Sequence, residues 1–284
     1  MIRFGPAGRD DGFYAAGFKK AGDIAAYVSS YGLNAFEYQC VRGVNVNAAE
    51  LAVLKTAAAE KGIALSVHAP YYISMSGVEE AKRLKSIDYI TDTARAALMM
   101  GADRVIFHSG GLSGLSREEA LILAKDTLSK CVAAMKELGF YGKVLLCPET
   151  MGKVNQLGTL EEVLALCEVD EFVIPCVDFG HLNARTHGSL KTASDFAAVA
   201  EKIAALGKKD LHSHFSLIEY TEGGEKRHLT FRDGRLFGPD YEPMLDVFSR
   251  YDLNMRVISE SAGTQTVDSA EMKKYYETNC GGKK

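Results

Sequence analysis

The chain has 284 residues, enough for one large domain or two small ones at roughly 100–200 residues each, and enough for one α/β barrel of about 250. With 47% hydrophobic and 25% charged residues and a mean hydropathy of -0.06, it excludes a disordered chain, a collagen-like repeat and a coiled coil. A net charge of -4 argues against whole-surface attraction to nucleic acid or anionic membrane, while leaving room for a local basic groove or for bound cations.

In chain order, short apolar runs alternate with longer segments of 3.6-residue period. Strands are expected at Ile2–Phe4, Ala35–Tyr38, Leu65–His68, Arg104–His108, Val144–Pro148, Phe172–Val177, Asp210–His214 and Met255–Ser259. Helices are expected at Gly22–Tyr31, Ala48–Lys61, Glu79–Met100, Arg117–Leu138, Leu160–Cys167, Ala193–Leu206 and Tyr241–Tyr251, with a last one near Ser269–Tyr276. Gly32, Gly62, Gly101, Gly139 and Gly207 each stand just past the last periodic residue of a helix, where a left-handed cap is wanted. Parallel strands need helical crossovers, and eight of them can close on themselves, so the pattern predicts a (β/α)8 TIM barrel. An open doubly wound sheet is the weaker fit, because Gly5-Pro6-Ala7-Gly8 lacks the GxGxxG spacing of a dinucleotide turn. No Pro/Ser-rich linker interrupts the alternation, so residues 1–284 read as one domain with a frayed tail from about 277.

The six cysteines are scattered without a CxxC pair, and the N-terminus lacks the apolar core of a secretory signal, so a reducing, cytoplasmic setting is expected. The histidines and carboxylates are not scattered. His68 and His108 end the third and fourth strands, Glu149 follows the fifth, Asp178 the sixth, and Glu260 the eighth. His212 and His214 sit at the end of the seventh, and His181 follows Asp178 within the next turn. Strand C-termini of a barrel open onto one face, where active sites are built. Taken singly, a strand-end His is more often a hydrogen-bonded structural residue, and a carboxylate after a strand more often a helix cap. Jointly, converging carboxylates would repel one another unless a divalent cation joined them, and Asp, Glu and neutral His are ligands for zinc, manganese or iron. Tyr71 and Tyr72, just after His68, put two aromatics on a rim loop, where stacking on a ligand and packing on the barrel are equally natural.

These motifs resemble the endonuclease IV group of apurinic/apyrimidinic endonucleases, within the sugar-isomerase-like TIM barrels. His68-Ala69-Pro70-Tyr71-Tyr72-Ile73 looks like that group's H-x-x-Y-x-I loop, Glu149-Thr150-Met151-Gly152 its glutamate motif, and Asp178-Phe179-Gly180-His181 its D-x-x-H motif. His212-Ser213-His214-Phe215-Ser216 takes the place of H-x-N-D-S, keeping the His and Ser. The resemblance implies a trinuclear zinc site (two or three ions, with manganese possible) that cleaves DNA 5′ to abasic sites through a zinc-bound hydroxide. Carried over, His68, His108 and Glu149 would hold one ion. Glu149 would bridge to a second, completed by Asp178, His212 and Glu260, and His181 with His228 would hold a third. Glu149 and Glu260 are then the candidate catalytic carboxylates. Tyr71 would enter the DNA at the lesion, with Tyr72 beside it.

Three departures bear on this reading. Lys226 occupies the slot of the group's Asp ligand two residues before the last His, so the third site needs Glu225 to reach in from one residue earlier. His212 and His214 face the same way, and His212 is favoured because Ser216 then keeps the group's spacing. The loop after the second strand has only Arg42 as a DNA-contacting candidate. A sugar isomerase or epimerase using the quartet Glu149, Asp178, His212 and Glu260 with one divalent ion is the rival activity, and its substrate would be a small sugar rather than DNA. A barrel that keeps its metal for stability and binds without turnover is the non-enzymatic alternative. Glu37, inside the second strand, could face either the barrel or the helices.

Overall fold

The computed structural model describes residues 2–281. Its strands are β1 (Ile2–Pro6), β2 (Ala35–Gln39), β3 (Ala64–His68), β4 (Arg104–Phe107), β5 (Leu145–Pro148), β6 (Cys176–Asp178), β7 (Asp210–Phe215), β8 (Leu217–Thr221), β9 (Gly224–Leu229) and β10 (Asn254–Ser259). The helices are α1 (Asp11–Ala15), α2 (Asp23–Ser30), α3 (Ala48–Glu60), α4 (Glu80–Met100), α5 (Arg117–Glu137), α6 (Leu160–Cys167), α7 (Phe179–Arg185), α8 (Ala193–Ala205), α9 (Tyr241–Phe248) and α10 (Gln265–Asn279). Two four-stranded parallel sheets, β1-β10-β7-β6 and β2-β3-β4-β5, make up the wall. Parallel bridges Ala7 to Glu37 and Glu149 to Cys176 close the two seams between them. The protein is therefore a (β/α)8 barrel, with β8 and β9 added as an antiparallel hairpin on the loop after β7.

Alternation along each strand sorts the residues into an outer core under the helices and an interior stack. On β4 the interior set is Arg104, Ile106 and then His108; on β10 it is Arg256, Ile258 and then Glu260. Ile106, Cys147, Ile174 and Cys176 pack together in the middle of the barrel, apart from the large helix-facing cluster. All six cysteines are buried, Cys147 and Cys176 as small interior residues.

The observed elements differ from expectation in several places, among them the short helices α1 and α7, which no expected helix matches, and β4, which ends at Phe107 just before His108. β6 starts at Cys176 rather than Phe172, because Pro175 has no N–H to give to a ladder. The tail does not fray at 277–281: α10 runs through Asn279 and Cys280 is buried, while 282–284 lie outside the described residues. The hairpin has no counterpart among the expected strands. Helix ends are set as the sequence indicates, with Gly101 left-handed (φ 75°) after α4 and capping boxes at Ser116 and Thr159 opening α5 and α6. Among the described residues no helix is long and apolar enough to cross a membrane.

Candidate metal centre

Glu149 lies at the centre of the strand-end cluster, fully buried. Its Oε2 is 3.1 Å from His68 Nε2 and 3.2 Å from His108 Nε2. Its Oε1 is 3.1 Å from His214 Nδ1 and 3.2 Å from His181 Nδ1. The two oxygens thus face two different sets of nitrogens. His68, His108 and Glu149 form one group of converging donor atoms, and Glu149, Asp178, His214 and Glu260 form a second. His181, Glu225 and His228 form a third.

Asp178 carries both of the readings open to a carboxylate after a strand. Its Oδ1 accepts from the His181 backbone N–H at 2.7 Å and caps α7, while its buried Oδ2 has no hydrogen-bond partner. Burial, with Glu260 and Glu149 nearby, raises the Asp178 carboxyl, although His181 opposes the rise. Burial also works against the charged form of Glu149, but His214 and His108 hold its carboxyl well below the usual range. His181 is driven the other way: burial favours the neutral ring, yet Asp178 and Glu149 push it up to about 10. These imidazoles are balancing carboxylates that sit too close to one another, the role a divalent cation fills better. The donor set therefore fits a metal, with nitrogen and oxygen atoms suited to zinc, manganese or iron.

The sequence reading favours His212 as the strand-seven ligand, whereas the structure brings His214 to Glu149, Asp178 and Glu260. His212 lies one interior layer deeper, 2.9 Å from Glu37 Oε2, and burial holds its ring neutral with a pKa of about 3. Glu37 faces into the barrel, fully buried, and its Oε1 is 3.0 Å from His214 Nε2. It also accepts from Ser66 Oγ and from Gln39 Nε2, both at 3.1 Å. A carboxylate behind one imidazole nitrogen fixes the ring so that the other nitrogen points at the site. Cys176, His212 and His214 also converge, but burial raises the Cys176 thiol well above its ordinary range, and a protonated thiol is a poor ligand.

The third group is completed by Glu225, not by the residue at position 226. Register along the hairpin shifts between Glu219 and Tyr220, with Glu219 opposite Arg227 and Tyr220 opposite Glu225, so Lys226 is the extra residue of a bulge. Lys226 and Arg227 both turn outward onto Glu219, each at 2.6 Å. Glu225 turns inward, 3.4 Å from His181 Nε2 and 3.8 Å from His228 Nε2. The approach needs glycine: a Cβ on Gly152 would stand 2.6 Å from Glu225 Cβ and 2.8 Å from His181 Cδ2, and one on Gly224 would strike the Gly152 carbonyl.

Above the three groups is a cavity of about 300 Å³, lined in part by Tyr71, Lys153, Gln156, His181, His228 and Glu260. Tyr71 is 58% exposed and stacks on His108, with ring centroids 5.6 Å apart. Tyr72 does not line this cavity; it packs against Tyr89 on α4. Arg42 is exposed in the turn after β2 and is not among the lining residues.

A family model described as xylose isomerase-like TIM barrel matches residues 25–276. The chain belongs to that family. It is 33% identical over 269 residues to the uncharacterized protein MJ0133 of Methanocaldococcus jannaschii, covering 92% of each. It is 32% identical over 132 residues to a probable endonuclease 4 of Acholeplasma laidlawii, covering 44% of each. Among solved structures, it is similar to a D-tagatose 3-epimerase-like protein (TM-score 0.74, 18% identity, 99% of both chains). It is also similar to endonuclease IV from Thermus thermophilus (TM-score 0.68, 19% identity, 98% of this chain and 97% of that one). At these identities the structural likenesses establish the fold, and the proteins so named include both endonucleases and epimerases.

Proposed function

We propose that this protein is a metal-dependent phosphodiesterase of the endonuclease IV type, acting at abasic sites in DNA. The observation that carries the reading is the Glu149 carboxylate, whose two oxygens face two separate sets of imidazole nitrogens. A single-ion enzyme has less use for His68, His108 and His181 as further ligands. His68, His108 and Glu149 would hold one ion, Glu149, Asp178, His214 and Glu260 a second, and His181, Glu225 and His228 a third. Such ions, when bound, supply Lewis acidity and lower the pKa of coordinated water to about 7.

The chain's own residues do the rest. Glu149 would serve both of the first two groups, as the residue they share. Glu37 holds the His214 ring so that Nδ1 faces the site. Ser216 Oγ, 2.9 Å from His228 Nδ1, orients that ring toward Glu225. Tyr71 offers an exposed aromatic face beside His108 for a sugar or a flipped-out residue to pack against. The rival reading, a sugar isomerase or epimerase with one ion, is favoured by the quartet Glu149, Asp178, His214 and Glu260, which is complete without the other two groups.

Metal content of protein purified without added metal, followed by incision of an abasic-site duplex, separates the two. Two or three ions per chain and strand cleavage are expected. One ion per chain with turnover of a ketose would overturn the phosphodiesterase reading. Glu149→Gln should lower incision by at least about a thousandfold with an unchanged circular dichroism spectrum, and near-wild-type turnover would remove Glu149 from the bridging role.

A further inference from the structure

On the flank of the barrel, apart from the metal cavity, a cleft of about 340 Å³ lies between α6, α7 and α8. Its walls are largely apolar, with Leu160, Leu182, Leu190 and Val199 among them. Into this setting α7 brings Arg185, one turn after His181 and only 9% exposed. The guanidinium makes a single hydrogen bond among the described residues, from Nη1 to the Met151 carbonyl at 2.6 Å, and no ion pair. Nε and Nη2 donate to none of those residues, yet neither is closed off from solvent.

The carboxylates that could have balanced Arg185 are already taken. Glu162 holds Arg117 through a fork of two bonds, 2.7 and 2.8 Å long. Glu161 is paired with Lys202 at 2.6 Å. Asp195 closes the capping box of α8, accepting from the backbone N–H groups of Lys191 and Thr192 and from the Thr192 hydroxyl. Burial and the neighbouring Arg117 both work against the charge on Arg185. A guanidinium nonetheless stays protonated in proteins, and a buried charge without a partner is costly. An anion from solution supplies that partner, and the Nε–Nη2 edge is the planar fork that a carboxylate fits. The apolar walls ask for a hydrophobic body behind it, which phosphate or sulfate lacks.

We infer that this cleft is a second ligand site, which takes a small organic monocarboxylate with an apolar body. The carboxylate lies on the Nε–Nη2 edge of Arg185, and the body between α6 and α8. Nothing in this site depends on the reaction run at the metal centre, but one bond connects the two. Arg185 holds the carbonyl of Met151, a residue that lines the metal cavity two positions after Glu149. Loading Arg185 from the cleft is therefore felt at Met151, on the cavity side.

Methyl NMR of the protein as purified, titrated with benzoate, tests this, with benzamide as a neutral probe of the same shape and inorganic phosphate as an anion without an apolar body. Benzoate should shift the methyl signals of Leu182, Leu190 and Val199, and that of Met151 with them. Benzamide and phosphate should each bind there at least about tenfold more weakly, and Arg185→Gln should weaken benzoate by a similar factor. Ala198→Phe, which fills the cleft from an exposed position on α8 and leaves Arg185 in place, should abolish the shifts with metal content per chain unchanged. Cleft methyls that do not move with benzoate in the wild type overturn the site. Benzoate affinity within twofold of wild type in both variants overturns it too, and assigns the binding to the metal centre. Benzamide binding as tightly as benzoate overturns the role of the guanidinium, and phosphate doing so overturns the apolar body. A Met151 methyl that stays put while the cleft fills overturns the link to the metal cavity.

Discussion

The two ends of the barrel interior solve the same electrostatic problem in opposite ways. At the N-terminal end of the strands, Arg104 is 1% exposed and donates to the Leu211 carbonyl at 2.8 Å, to Asp210 at 3.0 Å and to the Asn254 carbonyl at 3.2 Å. Arg256 is nearly as buried and grips Asp103 with two bonds of 2.9 and 3.1 Å while donating to Leu65 O. Each cation there meets a covalently attached anion or carbonyl, and that end is closed. At the C-terminal end the charged-capable side chains nearest Glu149, Asp178, Glu225 and Glu260 are imidazoles, and among the described residues no arginine lines the cavity. A barrel that can place two guanidiniums at one end could place them at the other. That it places neutral-capable rings there leaves negative charge for a diffusible cation to balance. Buried charge paired within the chain holds the fold; buried charge left for a partner from solution makes a site.

The largest expected effect comes from breaking the closed end. Arg104→Ala strips two carbonyls and the partly exposed Asp210 of their donor, and a buried acceptor left unsatisfied costs about 1–3 kcal/mol. Urea unfolding should show that loss while metal content per refolded chain stays at the wild-type value. Chelation of the wild-type protein should do the reverse, emptying the open end and lowering the melting temperature while leaving the contribution of Arg104 intact. If Arg104→Ala and chelation fail to add, the two ends are not independent and the contrast drawn between them is wrong.

A finer contrast lies within one strand. His212 and His214 are two residues apart on β7, on one face, and differ by a single layer of depth. His214→Ala should lose metal from the second group and most activity. His212→Ala should keep the metal and cost about 1–3 kcal/mol, because it leaves one side of the buried Glu37 carboxylate without its neighbour. Inductively coupled plasma mass spectrometry on the two variants decides it; metal loss in His212→Ala rather than His214→Ala would restore the sequence-based assignment.

Much of this architecture is legible in the sequence. Helix-ending glycines and alternating apolar runs mark the crossovers, and strand ends can be read closely enough to bring His68, His108, Glu149, Asp178 and Glu260 to one rim. What the sequence hides is depth and irregularity. Alternation places His212 and His214 on the same face but does not say which layer is the rim. Glu37 lies between Phe36 and Tyr38 on a strand buried on both faces, where polarity does not tell inside from outside. The sequence names Glu225 only as a residue that would have to reach in, since counting by twos from His228 lands on Lys226; the bulge that turns Lys226 to solvent and Glu225 inward is what it does not show. Tyr72 and Arg42 show the converse: neighbours of a rim loop in sequence that are not among the cavity-lining residues.

That bulge gives the smallest predicted effect and the most discriminating one. Position 226 looks like a ligand slot occupied by the wrong charge, whereas the hairpin register makes it an outward residue paired with Glu219. An exposed pair of this kind is worth about 0–1 kcal/mol, so Lys226→Ala should leave stability, metal content and activity within measurement error. Lys226→Asp, which recreates the spacing of the resembling endonucleases, should not improve metal affinity, because the side chain still points to solvent. On the three-ion reading, Glu225→Ala should remove one ion and leave the two groups that share Glu149 loaded, read as a fall of one metal per chain in mass spectrometry. A gain of metal affinity in Lys226→Asp, or no loss in Glu225→Ala, would show that the strand runs without its bulge in solution and that the third group is assembled from position 226 after all.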